Sequence, residues 1–66
     1  MELRVDRKKV EIILARKCMT SRELYKKAGI ASTSYAKAVS TKNSRADTIG
    51  KIARALGVDV TEILAD

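Results

Sequence analysis

The 66-residue sequence predicts an all-α domain of five short helices, and three observations lead there. Apolar residues recur at i, i+3, i+4 and i+7 in separated stretches, the spacing of one helix face. Ser, Thr or Asp stands three places before Glu or Asp at several helix starts, and Gly29 and Gly57 follow the last periodic residue of two stretches. Apolar residues make up 45% of the chain but aromatics only 3%. The core must therefore be aliphatic, and packed helices close such a core most readily in a small domain. A chain of this length is one domain, residues 1–66, close to the lower limit for folding without disulfide or metal.

Residues 1–5 alternate apolar and charged and fit either an N-terminal arm or a short edge strand. Asp6 is the N-cap of a first helix over Arg7 to Lys17, with Val10, Ile13, Leu14 and the Lys17 stem on one face and Ile12 widening the stripe. Met19 packs the connector onto the core. Cys18, at the end of that helix, reads as a buried or half-buried structural thiol, since the reactive alternative requires an exposed electropositive setting to which only Lys17 points.

Thr20 to Val39, TSRELYKKAGIASTSYAKAV, is the stretch around which the chain is organised. Thr20 and Glu23 form a capping box for a helix from about Ser21 to Ala28. Gly29 stops it by accepting positive φ, and Ile30 folds back as the apolar contact of that cap. A further helix follows from about Ser32 to Ser40, with Tyr35, Ala38 and Val39 inward. Its opposite face, Ser32, Thr33, Ser34 and Lys37, is small, polar and free of carboxylates. Two helices joined by a tight glycine corner, the second with such a face, make a helix-turn-helix suited to a major groove. Leu24 is the core residue of its first helix, and Tyr25 with Ala28 brackets the corner.

The polar connector STKNSR leads to a helix over Arg45 to Leu56, started by Ser44 with Asp47 and carrying Ile49, Ile52, Ala53 and Leu56 on one face. Gly57 ends it. Val58 packs, Asp59 with Glu62 forms another capping box, and Val60 to Ala65 is expected to form a last helix burying Val60, Ile63 and Leu64.

Fourteen Lys and Arg against eight Asp and Glu give a net charge of +6. Between Met19 and Ala46 stand Arg22, Lys26, Lys27, Lys37, Lys42 and Arg45 against Glu23 alone, so +5 of that charge lies in the central part. Lysine and arginine often do no more than solvate helix faces. Their concentration on the helix-turn-helix instead favours a polyanion, through attraction and counterion release. Histidine is absent and cysteine single, so the sequence offers neither an intramolecular disulfide nor a Cys/His metal site, and it fits a reducing cytoplasm. There is no apolar run long enough for a membrane and no signal peptide in MELRVDRKKV. No cofactor is expected, and no enzyme: there is no histidine, no carboxylate pair with a shared pocket and no phosphate-cradling glycine loop.

MTSRELYKKAGIASTSYAKAV followed by DTIGKIARALGVDVTEIL resembles the Cro and lambda-repressor-like helix-turn-helix family of bacterial and phage transcription regulators. The resemblance runs from about residue 7 to residue 65 and includes the ending LGVDVTEIL. It implies a five-helix lambda-repressor-like fold and sequence-specific binding of a double-stranded DNA operator, usually as a homodimer. Carried over by position, it places base reading on Ser32, Thr33 and Lys37. Backbone gripping or support falls on Ser21, Arg22, Ser34, Ser40, Lys42, Asn43 and Arg45. The chain departs from the family at Ala31, where Ser or Thr commonly caps the third helix, and in the reversed sizes of Tyr25 and Ala28, a volume-conserving exchange. The expected function is that of a small transcriptional regulator of repressor type, with a dimer weak in the absence of DNA. Its interface is expected from Val58, Val60, Ile63 and Leu64, or secondarily from Leu3 to Val5. An antitoxin-type module that binds a protein partner and also regulates its own promoter is the alternative. RNA binding is less favoured, because Tyr35 is needed in the core and cannot serve as a stacking platform.

Overall fold

The first two helices begin where a side chain is placed to cap them. The structure, a computed structural model, describes residues 3–40 and 45–65. Helix α1 spans Arg7–Arg16, and the Asp6 carboxylate accepts hydrogen bonds from the N–H groups of Lys8 (2.9 Å) and Lys9 (3.3 Å). Helix α2 spans Ser21–Ala28 with the expected capping box complete. The Glu23 N–H donates to the Thr20 hydroxyl, and the Thr20 N–H donates to the Glu23 carboxylate, both at 3.1 Å. Helix α3 spans Ser32–Ser40 and α4 spans Ala46–Leu56.

Helices α1, α2 and α4 end in one and the same way. After α2, Gly29 takes φ 74°, its N–H donates to the Lys26 carbonyl, and the Ile30 N–H reaches back to the Tyr25 carbonyl. After α4, Gly57 takes φ 72°, with the matching bonds to Arg54 and, from Val58, to Ala53. After α1 the same pair of bonds runs from Cys18 to Ala15 and from Met19 to Leu14, and the left-handed residue is Cys18 at φ 52°. This paired closure satisfies carbonyls that would otherwise be orphaned and folds the following apolar residue inward. Met19, Ile30 and Val58 are those residues, and all three pack against the core.

That geometry corrects the reading of Cys18, which is exposed rather than buried. The left-handed residue of such a closure turns its side chain out while its successor turns in, so Met19, half-buried, packs against the core in its place. Ile12 is also misplaced by the sequence reading: it is 45% exposed. At roughly 100° per residue it falls on the side of α1 opposite the arc of Val10, Ile13 and Leu14.

The expected fifth helix is a single 3₁₀ turn, Val60–Glu62. Its capping box forms, with Asp59 and Glu62 as partners, but the chain leaves helical geometry at once. Leu64 makes an antiparallel bridge with Val5, the Asp6 N–H donates to the Ile63 carbonyl (2.8 Å), and the Ala65 N–H donates to the Arg4 carbonyl (2.7 Å). An N–H committed to Arg4 cannot also close a helical turn. The same bridge settles residues 3–5 as a short edge pairing, with Val5 buried. The described residues thus form four α-helices and no strand longer than this bridge.

The start of α4 differs as well. Ser44, expected to cap it, lies outside the described residues, and the N-cap is Arg45 with extended backbone and no side-chain bond. Asp47 accepts from its neighbour, the Thr48 N–H, at 2.9 Å.

The core gathers Val10, Ile13, Leu14, Leu24, Tyr35, Ala38, Ile49, Ile52, Ala53, Leu56 and Ile63. Helix α4 is its hub, packing most extensively on α2 and also on α3 and the 3₁₀ turn. Leu24, Ile52, Leu56, Ile63 and Val10 are the largest side chains wholly removed from solvent. Burying each such side chain stabilises by about 1.5–3 kcal/mol relative to exposure. Tyr25 on α2 and Tyr35 on α3 meet with ring centroids 6.0 Å apart and planes tilted by 41°. Tyr25 and Ala28 are both half-buried and packed against the core.

Candidate nucleic-acid interface

Helix α3 is pinned on one side and open on the other. Tyr35 and Ala38 are buried and Val39 half-buried, whereas Ser32, Thr33, Ser34, Ala36, Lys37 and Ser40 are exposed. The open side has no acidic group. Its first turn is also uncapped: the Ala31 carbonyl accepts the first helical bond from the Tyr35 N–H at 3.0 Å, but alanine has no side chain to cap with. Among the described residues, the N–H groups of Ser32, Thr33 and Ser34 have no protein acceptor. Such groups, at the positive end of the helix dipole, favour an anion.

Helix α2 crosses beside it, held by the Gly29 corner. A Cβ added at Gly29 would meet no atom within 4 Å, so glycine supplies positive φ there rather than room. Leu24 faces inward while Ser21, Arg22, Lys26 and Lys27 are exposed. Among the described residues, none of Arg22, Lys26, Lys27 and Lys37 has an ion-pair partner. Glu23, the acidic exception, is occupied by Thr20, whose N–H and hydroxyl both donate to its carboxylate at 3.1 Å. The positive charge of the helix-turn-helix is therefore presented to solvent almost unneutralised.

The sequence-derived site residues fall in several places. Ser32, Thr33, Ser34 and Lys37 share the open side of α3, and Ser21 and Arg22 open α2 beside them. Ser40 is exposed at the end of α3, but its hydroxyl donates to the Ala36 carbonyl at 2.7 Å, which leaves only lone pairs facing outward. Arg45 stands apart as the α4 N-cap, and its Nε lies 3.4 Å from the Asp47 carboxylate in an exposed pair. Lys42 and Asn43 lie outside the described residues. Ala36 is exposed on α3 as well, as the period that buries Tyr35 and Ala38 requires.

Among the described residues there is no group of three His, Cys, Asp or Glu side chains able to hold a metal ion. No helix there is long and apolar enough to cross a membrane.

A capped helix, a left-handed glycine corner and a second helix with a carboxylate-free face define a helix-turn-helix DNA-binding protein. Comparison with family models agrees: the Cro/C1-type HTH DNA-binding domain model matches residues 9–66, and the chain belongs to that family. DNA binding follows from that membership. No curated protein and no solved structure matches the chain.

Proposed function

We infer that the protein is a small transcriptional regulator of repressor type that binds a specific double-stranded DNA operator with α3 in the major groove. The observation that carries this reading is the open side of α3, uncapped at its start and free of acid, flanked by the unpaired Arg22, Lys26 and Lys27. In this reading Ser32, Thr33 and Lys37 reach base edges. Ser21, Arg22, Ser34, Ser40, Lys42, Asn43 and Arg45 hold or support the phosphate backbone, since phosphate contacts position and base contacts specify. The whole chain acts as one domain.

A nine-residue helix spans about 13 Å, too short to read a useful address by itself. Two copies related by two-fold symmetry, with recognition helices roughly 34 Å apart, would double the contacts on one face of the duplex. The surface for such a homodimer is narrower than the sequence suggests, because Ile63 is 0% exposed and Val5 3% exposed within a single chain. Val60, 38% exposed, with half-buried Val58 and Leu64 beside it in sequence, remains. An interface on so little apolar surface is small, which fits a dimer that is weak without DNA.

Selection of bound sites from random duplex DNA tests the reading. The expected result is one enriched, roughly palindromic sequence, whose binding weakens with salt at a slope of about −5 in log K against log concentration if roughly six phosphates are neutralised. No enrichment, or a slope near zero, would contradict it.

A further inference from the structure

The open side of α3 has a chemistry that its polar composition conceals. Thr33, Ala36, Lys37 and Ser40 stand at i, i+3, i+4 and i+7, opposite the buried Tyr35 and Ala38, and all four are exposed. Two groups on that ridge are not polar: Ala36 offers only a methyl group, and Thr33 carries a methyl beside its hydroxyl. The Ser40 hydroxyl has its proton turned back onto the Ala36 carbonyl and presents only acceptor lone pairs. On a helix the Cβ atoms of residues three apart lie about 5–6 Å from one another. The two methyl groups are therefore neighbours, with the Lys37 ammonium able to extend beyond them.

The residues around this ridge are short. Ser32, Ser34 and Ala36 hold nothing longer than a hydroxymethyl group away from the helix, so the α3 backbone can come close to a groove floor. Close approach suits a methyl reader, because dispersion falls away within a fraction of an ångström of optimal contact. Among the base-pair edges in the major groove, the 5-methyl of thymine alone is apolar, and alanine and the threonine methyl are side chains that contact it.

Resting on the operator-binding reading above, we propose that Thr33 and Ala36 form an apolar ridge that selects a thymine by its 5-methyl group, making Ala36 a specificity-determining residue. Lys37, one position on, reads or grips an acceptor beside that thymine.

The test uses the full chain and the duplex enriched from random DNA, with each thymine replaced in turn by deoxyuridine, which lacks only the methyl. For the unaltered protein, one replacement per half-site is expected to weaken binding on the order of three- to five-fold, the scale of one buried methyl. Thr33→Ser removes a methyl and keeps the hydroxyl, and Ala36→Ser makes the second position polar. Each is expected to bind the thymine and deoxyuridine duplexes with a smaller ratio at that position, at unchanged helix content by circular dichroism. Thr33→Ser alone suffices should Ala36→Ser unfold. An enriched sequence that is insensitive to deoxyuridine, or a ratio unchanged in the variants, overturns the methyl ridge and leaves operator binding standing. Failure to enrich any sequence overturns both.

Discussion

The two sides of the helix-turn-helix are made from neighbouring residues and obey opposite rules. On the inner side Leu24, Tyr35 and Ala38 are buried, and among the described residues no buried polar side-chain atom lacks a partner. On the outer side, one to three residues away, Arg22, Lys37 and the first N–H groups of α3 have no partner at all among the described residues. The inner side is complete within the chain. Exposed charge and donors there are left to solvent, which an anionic ligand can displace, and the difference separates what holds the domain together from what it leaves open to a partner.

The comparison breaks most violently at Leu24. Leu24→Ala is expected to cost about 2–5 kcal/mol, comparable with the whole stability of a domain this small. Thermal melting by circular dichroism should show a fold that is largely lost at 25 °C; a transition shifted by only a few degrees would mean that α2 is not anchored there.

On the outer side the pattern reverses. Lys37→Ala should leave the melting temperature within the effect of a surface substitution, about 0.5 kcal/mol. It should also lower affinity for the enriched duplex by on the order of 1–3 kcal/mol. A large fall in stability with no loss of binding would invert the assignment of the two sides.

A corner between the regions gives a smaller effect of opposite sign. Cys18 holds a left-handed conformation, φ 52°, that glycine holds at the two equivalent corners, and a left-handed L-residue costs roughly 1–2 kcal/mol. Part of that is offset by the greater freedom glycine brings to the unfolded chain. Cys18→Gly is expected to stabilise by about 0.5–1 kcal/mol, raising the melting temperature by about 2–8 °C. DNA binding should not change. Destabilisation would show that the thiol makes a contact the closure does not need.

The smallest effect lies at Asp59. Its carboxyl is held below the usual value first by the hydrogen bond from the Thr61 hydroxyl and then by that from the Thr61 N–H. A carboxyl depressed in the folded state stabilises above its unfolded pKa, about 3.9, and that contribution disappears as pH falls through the lower folded value. The melting temperature of Asp59→Asn should therefore lie slightly below that of the unaltered protein near neutrality, and the gap should close below about pH 4. A gap that persists in acid would mean the carboxylate charge is not its source.

Most of this division was legible in the sequence, because it is written in local rules. Thr20 with Glu23 gave the start of α2, Gly29 its end, and the spacing of Tyr35 and Ala38 the inner side of α3. What escaped depended on partners distant in the chain or on rare backbone geometry. A cysteine carries no mark of positive φ, so Cys18 read as buried. The shape of residues 60–65 is set by Val5 and Arg4, almost sixty positions away, and local periodicity there pointed to a helix that the bridge forbids. The exposure of Ala36 carries no polar mark either, since a methyl group gives no hydrogen-bonding signature of a base contact.

The central claim is that the outer side of α3 reads DNA while its inner side holds the fold. Its most direct test is site selection from random duplex DNA with the unaltered chain and with the triple variant Ser32→Ala, Thr33→Ala, Lys37→Ala, after circular dichroism has shown equal helix content. The account predicts that the enriched sequence of the unaltered chain is lost or replaced in the variant while weak, salt-sensitive binding to all duplexes survives. The same enriched sequence from both proteins would place the reading of DNA elsewhere in the molecule.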